Sequence, residues 1–368
     1  MKSRNLLRSG LIALLASLII TGCGSGGSNS SSSSAGVSYN HFYCPNTVNV
    51  SFPGVSGVRQ VYGQESLVYV TGVYVQYGSS HAFLYKGSVL GGGNCSEFNF
   101  PSAPGRTVTS TSLYGPDNNG YGQVVVVGSY TTLESGPIAQ QGLLYIGAAD
   151  GSTLDGYKTL FPTSLTTESI INTLGHSTMG GIVVGNYNTA REKGKAFIYD
   201  INTDTYYTLE PTPGDTGTMT AYGIWYNGGT SYTIAGGYSD ATAGGTNIGF
   251  ITDWDSISHK VSNFTTLNYN DLPANQVGTH FEGITGDGSG GYNLAADWEY
   301  LGQKTSPAFA NIKRKPDGSF ATPTWVGYNY FPGSSWTSAN TVYENYILGL
   351  YQAGDPVVDY GYVATINY

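Results

Sequence analysis

Charge is scarce in this chain. Its 15 Lys and Arg and 24 Asp and Glu make up only 11% of 368 residues. That scarcity argues against a coiled coil and against a charged disordered chain. Cations are the rarer sign, leaving a formal balance of −9, and a chain this acidic has no electrostatic means of holding a phosphate backbone. Nucleic acid is therefore excluded as a partner. Cysteine is limited to three residues. The apolar run from Leu11 to Ile20 is too short for a comfortable bilayer span, and no other stretch carries a 3.6-residue apolar period of helix length. Catalytic motifs are missing as well: there is no Gly-x-Ser-x-Gly elbow, His-Glu-x-x-His pair, phosphate-binding loop or calcium-binding carboxylate ladder. The five histidines, at 41, 81, 176, 259 and 280, have no partner at metal-ligand spacing, so no metal or cofactor is expected. What the chain has in plenty is Gly (53) and Tyr (31), a bias toward an all-β body.

The N-terminus carries an address. Lys2, Arg4 and Arg8 precede the apolar run, which ends in Ile20-Thr21-Gly22-Cys23, the order of a secretory signal. The tetrapeptide resembles the bacterial lipobox. That resemblance implies a signal peptide over 1–22 and an acylated Cys23 as first mature residue. Gly24 and Ser25 follow without the aspartate that marks inner-membrane retention, so the resemblance implies lipid anchoring in the outer membrane, facing the periplasm or the surface. Residues 23–36 are almost only Ser and Gly after the cysteine, a flexible tether with a reach of roughly 20 Å. Residues 37–368 are left as one domain. Removing the signal takes three cations and no carboxylates, so 12 Lys and Arg face 24 Asp and Glu. The other two cysteines, Cys44 and Cys95, form an even pair in an exported chain and are expected to make a disulfide, with free thiols or a metal site as the weaker alternatives.

The body repeats six times. A β-rich run, a small residue, any residue and an aromatic recur at Gly72-Val73-Tyr74, Gly128-Ser129-Tyr130, Gly185-Asn186-Tyr187, Gly236-Gly237-Tyr238, Ala296-Asp297-Trp298 and Gly349-Leu350-Tyr351. The aromatics lie 56, 57, 51, 60 and 53 residues apart, slightly longer than common propeller repeats. Each signature is followed by a second apolar strand, such as His81-Ala82-Phe83 and Lys195-Ala196-Phe197. These resemble the bacterial extracellular HAF-repeat family, a resemblance that implies a repeat fold and no established activity.

Upstream of each signature lies a segment ending near a glycine, placed at Val61-Tyr62-Gly63, Leu113-Tyr114-Gly115, Thr173-Leu174-Gly175, Ala221-Tyr222-Gly223 and Phe281-Glu282-Gly283, with Val342-Tyr343-Glu344 as the copy lacking it. Downstream runs such as Glu97 to Pro101 and Phe264 to Tyr269 complete four strands per unit. The expected fold is an all-β six-bladed propeller of four-stranded blades. A β-solenoid or a pair of sandwiches fits less well, since solenoid coils are shorter and sandwiches would not give six equal units. A stray strand, Thr47 to Pro53, precedes the first unit while the sixth stops after its third strand. The ring is thus expected to close with an N-terminal strand completing the last blade, and a Cys44–Cys95 bond would pin that seam. The signature aromatics are read as packing between blades.

Position guides the search for a site better than motif does. In propellers the loops entering the innermost strands and the loops between second and third strands share one face, which carries ligands by fold analogy. The candidates on that face are Arg59, Arg106, Glu168, His280, Glu282, Glu299, Tyr300 and Trp336. Blade five departs most from the consensus, with Ala296 for glycine and Asp297-Trp298-Glu299-Tyr300 in sequence. An aromatic beside carboxylates suits contact with carbohydrate or peptide. Two functions follow. One is an outer-membrane-anchored module binding a glycan, peptide or envelope protein; the other is an envelope hydrolase or lyase with carboxylates at the channel mouth.

Overall fold

The computed structural model describes residues 36–44, 54–134, 136, 138–210, 217–239, 246–300, 302–355 and 357–368. The expected signal peptide and nearly all of the expected tether lie outside them. The described strands form six four-stranded antiparallel sheets. Each innermost strand packs against the innermost strand of the next blade, and that of blade six against that of blade one. The fold is the expected six-bladed propeller. Its innermost strands are Gly54–Val61, Val108–Asn118, Ile170–Met179, Thr218–Gly228, Val277–Gly286 and Trp336–Tyr343.

The repeat signature lies on the second strand of each blade, which is covered on both faces; Val124, Val126 and Val127 are wholly buried and Val125 nearly so. A strand so enclosed has no reason to alternate polar with apolar residues. In five blades the signature glycine lets the innermost strand approach, because a Cβ at Gly72, Gly128, Gly185, Gly236 or Gly349 would collide with the carbonyl oxygen of Gly54, Ser112, Leu174, Thr220 or Ser338. The aromatics two residues on fill the wider space outward. Tyr130 stacks on Phe100 at 3.8 Å and Tyr351 on Phe331 at 4.0 Å, and burying such a ring contributes about 2–3 kcal/mol.

The seam closes as expected in kind, through a different segment. The outer strand of blade six is Val37–Phe42, paired antiparallel with Val358–Ile366 from Val37↔Ile366 to Phe42↔Gly361. The expected Thr47–Pro53 strand lies outside the described residues. Cys44, two residues past the closing strand, is bonded to Cys95 on the outer strand of blade one, Gly91–Glu97. That strand ends where the sequence reading had it begin. The reason is that Phe98 and Phe100 leave the sheet to pack on Tyr145, Tyr157 and Tyr130 of blade two.

Two of the upstream segments are also displaced. Every innermost strand carries a β-bulge at one equivalent place, at Ser56, Tyr114-Gly115, His176, Tyr222, Glu282 and Asn340. Blade one therefore uses Val55-Ser56-Gly57 and blade six Ala339-Asn340-Thr341. Val61-Tyr62-Gly63 is instead a hairpin tip, where Tyr62 is exposed and Gly63 has φ +68°. Glycine takes that left-handed turn without a Cβ clash, which gave the tip the same local look as the true copies.

Candidate functional site

The six bulges ring the axis, because an extra residue in a strand leaves the ladder and turns its side chain out of register. Between them lies an axial cavity of about 10 Å³ for water centres, lined from all six blades. That is room for roughly one water. Arg59 lines the cavity on the side away from the mouth. Sequence reading placed Arg59 in an entering loop; it lies instead near the far end of its innermost strand, paired with Tyr69. Its guanidinium crosses the axis to the opposite blade, giving Nη2 to the Ile224 carbonyl at 3.3 Å and lying 5.5 Å from the Trp225 ring.

Aromatic and imidazole rings line one side of the axis through four blades. Tyr114 meets His176 edge-on, His176 stacks on Tyr222 at 3.9 Å, and Tyr222 meets His280 edge-on at 4.6 Å. His176 is buried, its Nε2 hydrogen-bonded to Asn186 Oδ1 at 2.6 Å while its Nδ1 has no partner. Burial pulls its pKa down to about 4. His280 lies in the innermost strand of blade five, not in the loop before it. It fits against blade four because Gly237 occupies the adjoining position; any Cβ there would collide with the imidazole. Its Nε2 bonds Thr220 Oγ1 at 2.7 Å, and its Nδ1 lies 2.9 Å from Glu282 Oε1, at ion-pair distance but out of hydrogen-bond alignment.

Glu282 is the bulge residue of blade five and lines the axial cavity. Directly across the strand pair from His280 stands Asp297, the middle residue of the blade-five signature. Asp297 Oδ1 accepts the Ala339 backbone N–H of blade six at 2.8 Å. Burial first, then the charge of Glu282 and that of Glu299, pushes its carboxyl well above the usual range. Glu299 is raised too, by burial. Three carboxylates and one histidine are thus gathered on one blade. This is also the blade whose signature has Ala296 in place of glycine.

The second strand of blade five ends at Tyr300, which is exposed and meets Trp298 edge-on at 5.2 Å. Trp298 itself stacks on Tyr269 at 4.0 Å, the packing role expected of it. The remaining candidates do not join the cluster. Arg106 lies over the Phe100 ring at 4.7 Å and donates to the Pro101 carbonyl at 3.2 Å, holding its own loop. Glu168 accepts the Thr189 hydroxyl at 2.5 Å and lies 3.8 Å from Arg191, tying two mouth loops of blade three. Trp336 opens the innermost strand of blade six, half-buried. Sequence reasoning did not single out Asp297, His176 and Tyr222 as candidates. The available signal for Asp297 was its place beside the one signature residue that is not glycine. Among the described residues no group of His, Cys, Asp and Glu has the arrangement of a metal site.

No family model matches the chain, and no curated protein sequence matches it either. Solved structures similar to it include an exo-beta-1,3-galactanase from Clostridium thermocellum, at 11% identity over 88% of this chain and 76% of that one, with a TM-score of 0.44. An endo-arabinanase from Bacillus licheniformis aligns at 11% identity over 85% and 93%, TM-score 0.37. A glucose dehydrogenase aligns at 9% identity over 90% and 99%, TM-score 0.44. Likenesses this distant say nothing of chemistry.

Proposed function

We propose that this chain is a lipid-anchored protein of the bacterial outer membrane whose propeller binds a glycan at the mouth of blade five. The anchor rests on the lipobox resemblance at Cys23. The binding reading rests on one observation: Glu282 and Glu299 lie near enough to Asp297 for their charges to act on its carboxyl, on the same blade whose second strand ends in the exposed Tyr300. Carboxylates accept sugar hydroxyls in pairs, and an aromatic face gives a pyranose ring an apolar surface to lie on. A peptide or envelope protein is the other partner class that this surface admits.

The test is affinity electrophoresis of the full chain through gels containing β-glucan, xylan, galactan or mannan. Retardation by at least one polysaccharide, reduced severalfold in Tyr300→Ala, is the expected result. Equal mobility in every gel would remove the glycan reading. The anchor is tested separately: incorporation of a labelled fatty acid is expected in the wild type and absent in Cys23→Ala.

A further inference from the structure

The face opposite the mouth is made of the hairpin tips between first and second strands and the turns between third and fourth strands. Its exposed apolar side chains are unevenly placed. Tyr62 and Tyr121 stand at the tips of blades one and two, 71% and 90% exposed, and the Tyr62 ring lies over Gly120, so the two tips adjoin. Leu90 and Leu154 are exposed in the outer turns of the same two blades. Tyr368, also exposed, follows Asn367, whose backbone and side-chain N–H groups donate to the Gly36 carbonyl at 2.9 and 2.8 Å. Among the described residues, Ile257 on blade four is the one large exposed apolar side chain of this face away from that sector.

The second observation is where the chain leaves the ring. Gly36 precedes the closing strand on this same face, at blade six, the neighbour of blade one. Residues 23–36, almost only Ser and Gly after the cysteine, reach roughly 20 Å on average as a coil. The mouth exposes apolar side chains too, Tyr77 and Leu133 among them. It lies farther from the exit, since the nine residues of Val124–Thr132 cross the ring from face to face, about 30 Å at ~3.3 Å per residue. With the mouth laid on a bilayer, Gly36 would stand above it by more than the average reach of the tether. With the opposite face laid down, the tether is slack.

Charge narrows the kind of surface. Around the sector Glu65, Asp150, Asp155 and Glu344 are exposed, against Lys86, which lies over the Tyr69 ring at 5.8 Å. Lys158, the other cation at this end of blade two, is paired with Asp204 at 2.7 Å. Such a balance repels an anionic surface and attracts ammonium groups. Tyrosine, apolar in its ring and polar at its tip, suits the headgroup layer of a bilayer.

We infer that the face opposite the mouth docks on the bilayer that holds the anchor, through Tyr62, Leu90, Tyr121, Leu154 and Tyr368, and that it fits zwitterionic headgroups bearing an ammonium group, such as phosphatidylethanolamine. This inference rests on the anchor reading above. The mouth then points away from the bilayer, open to a glycan.

The experiment places one dye on each face. Leu154→Cys and Leu133→Cys are made in the full chain, which acylation of Cys23 and the Cys44–Cys95 bond leave with a single free thiol. Each is labelled with an environment-sensitive dye and reconstituted into vesicles of phosphatidylethanolamine and phosphatidylcholine containing a spin-labelled lipid as quencher. Quenching at position 154 is expected to exceed that at 133 severalfold. Adding Tyr62→Ser and Tyr121→Ser should reduce it at 154, and so should replacing phosphatidylcholine with phosphatidylglycerol. Equal quenching on the two faces, or more at 133, overturns docking and leaves the anchor standing. Quenching at 154 that is indifferent to the two serines overturns the role of the patch. Quenching indifferent to phosphatidylglycerol overturns the choice of headgroup. A wild type that takes up dye at Cys23 has no anchor, which overturns both readings.

Discussion

Two groups of carboxylates in the ring are treated in opposite ways. At the end away from the mouth, three are paired. Asp253 meets Arg314 at 2.5 Å, Asp287 meets Lys313 at 2.5 Å and Asp204 meets Lys158 at 2.7 Å. Asp287 and Asp204 are held below the usual range, Asp204 by hydrogen bonds from Lys158 and Tyr199 and Asp287 by Lys313 and by N–H groups of its turn, against an opposing burial. At the mouth of blade five, Asp297 and Glu299 are pushed up, both by burial and Asp297 also by the charges of Glu282 and Glu299. The first group stabilises the fold. The second holds like charges together at a cost, and such sites are where function tends to be found.

The largest expected effect is at the paired end. Arg314 reaches Asp253, Tyr292 and Thr233 from a site largely out of water. Arg314→Met should cost about 3–5 kcal/mol, because it leaves Asp253 without its countercharge. Urea unfolding checks this, and a loss under 1 kcal/mol would make that end no better paired than an exposed surface.

The seam comes next. Cys44→Ser should cost about 2–4 kcal/mol, since the bond closes 51 residues of chain. Equal melting temperatures for wild type and variant would refute that.

His176, midway between the ends, gives a pH test. Its imidazole titrates near 4 when folded and near 6.5 when unfolded. The unfolded chain takes up the proton first as pH falls, so stability is lost between about 6.5 and 4, by about 3 kcal/mol in all. Urea midpoints at pH 7 and pH 4.5 should converge in His176→Gln relative to wild type.

The smallest effect has the opposite sign. Asp297 has a folded pKa raised above its unfolded one, so its contribution is complete below the unfolded value and is lost as pH rises through the folded one. Asp297→Asn keeps an acceptor for the Ala339 N–H and removes the ionisable group. Its melting temperature at pH 7 should exceed that of the wild type, and a decrease would end the contrast between the two ends.

The ring was legible because its signature is a packing rule repeated six times: a glycine where a carbonyl approaches and an aromatic where the wedge widens. The seam strand was harder to read. Val37–Phe42 is an edge strand with polar residues on its open side, and Thr47–Pro53 has the same alternation, so nothing local separates the two. The bulges were invisible in a different way, since the extra residue is set by what the axis can hold and is Ser, Tyr, His, Glu or Asn in turn. That is why His280 and Glu282 were found but assigned to a loop, and why Arg59 was expected at the mouth when it lies toward the opposite end. Asp297 needed the pairing register before its position opposite His280 could be known.

The closing strand also sets how the ring bears load. Gly36 leaves the sheet beside Asn367, on the face opposite the mouth, and the strand then runs toward the mouth to Phe42. A pull on the N-terminus therefore acts along the strand, so that its hydrogen bonds to Val358–Ile366 are strained together in shear and do not open one by one like a zipper. Should they slip, the chain is caught at Cys44, whose bond to blade one passes the force across the seam. Tension entering at Gly36 is thus shared first by a whole strand and then by one covalent bond.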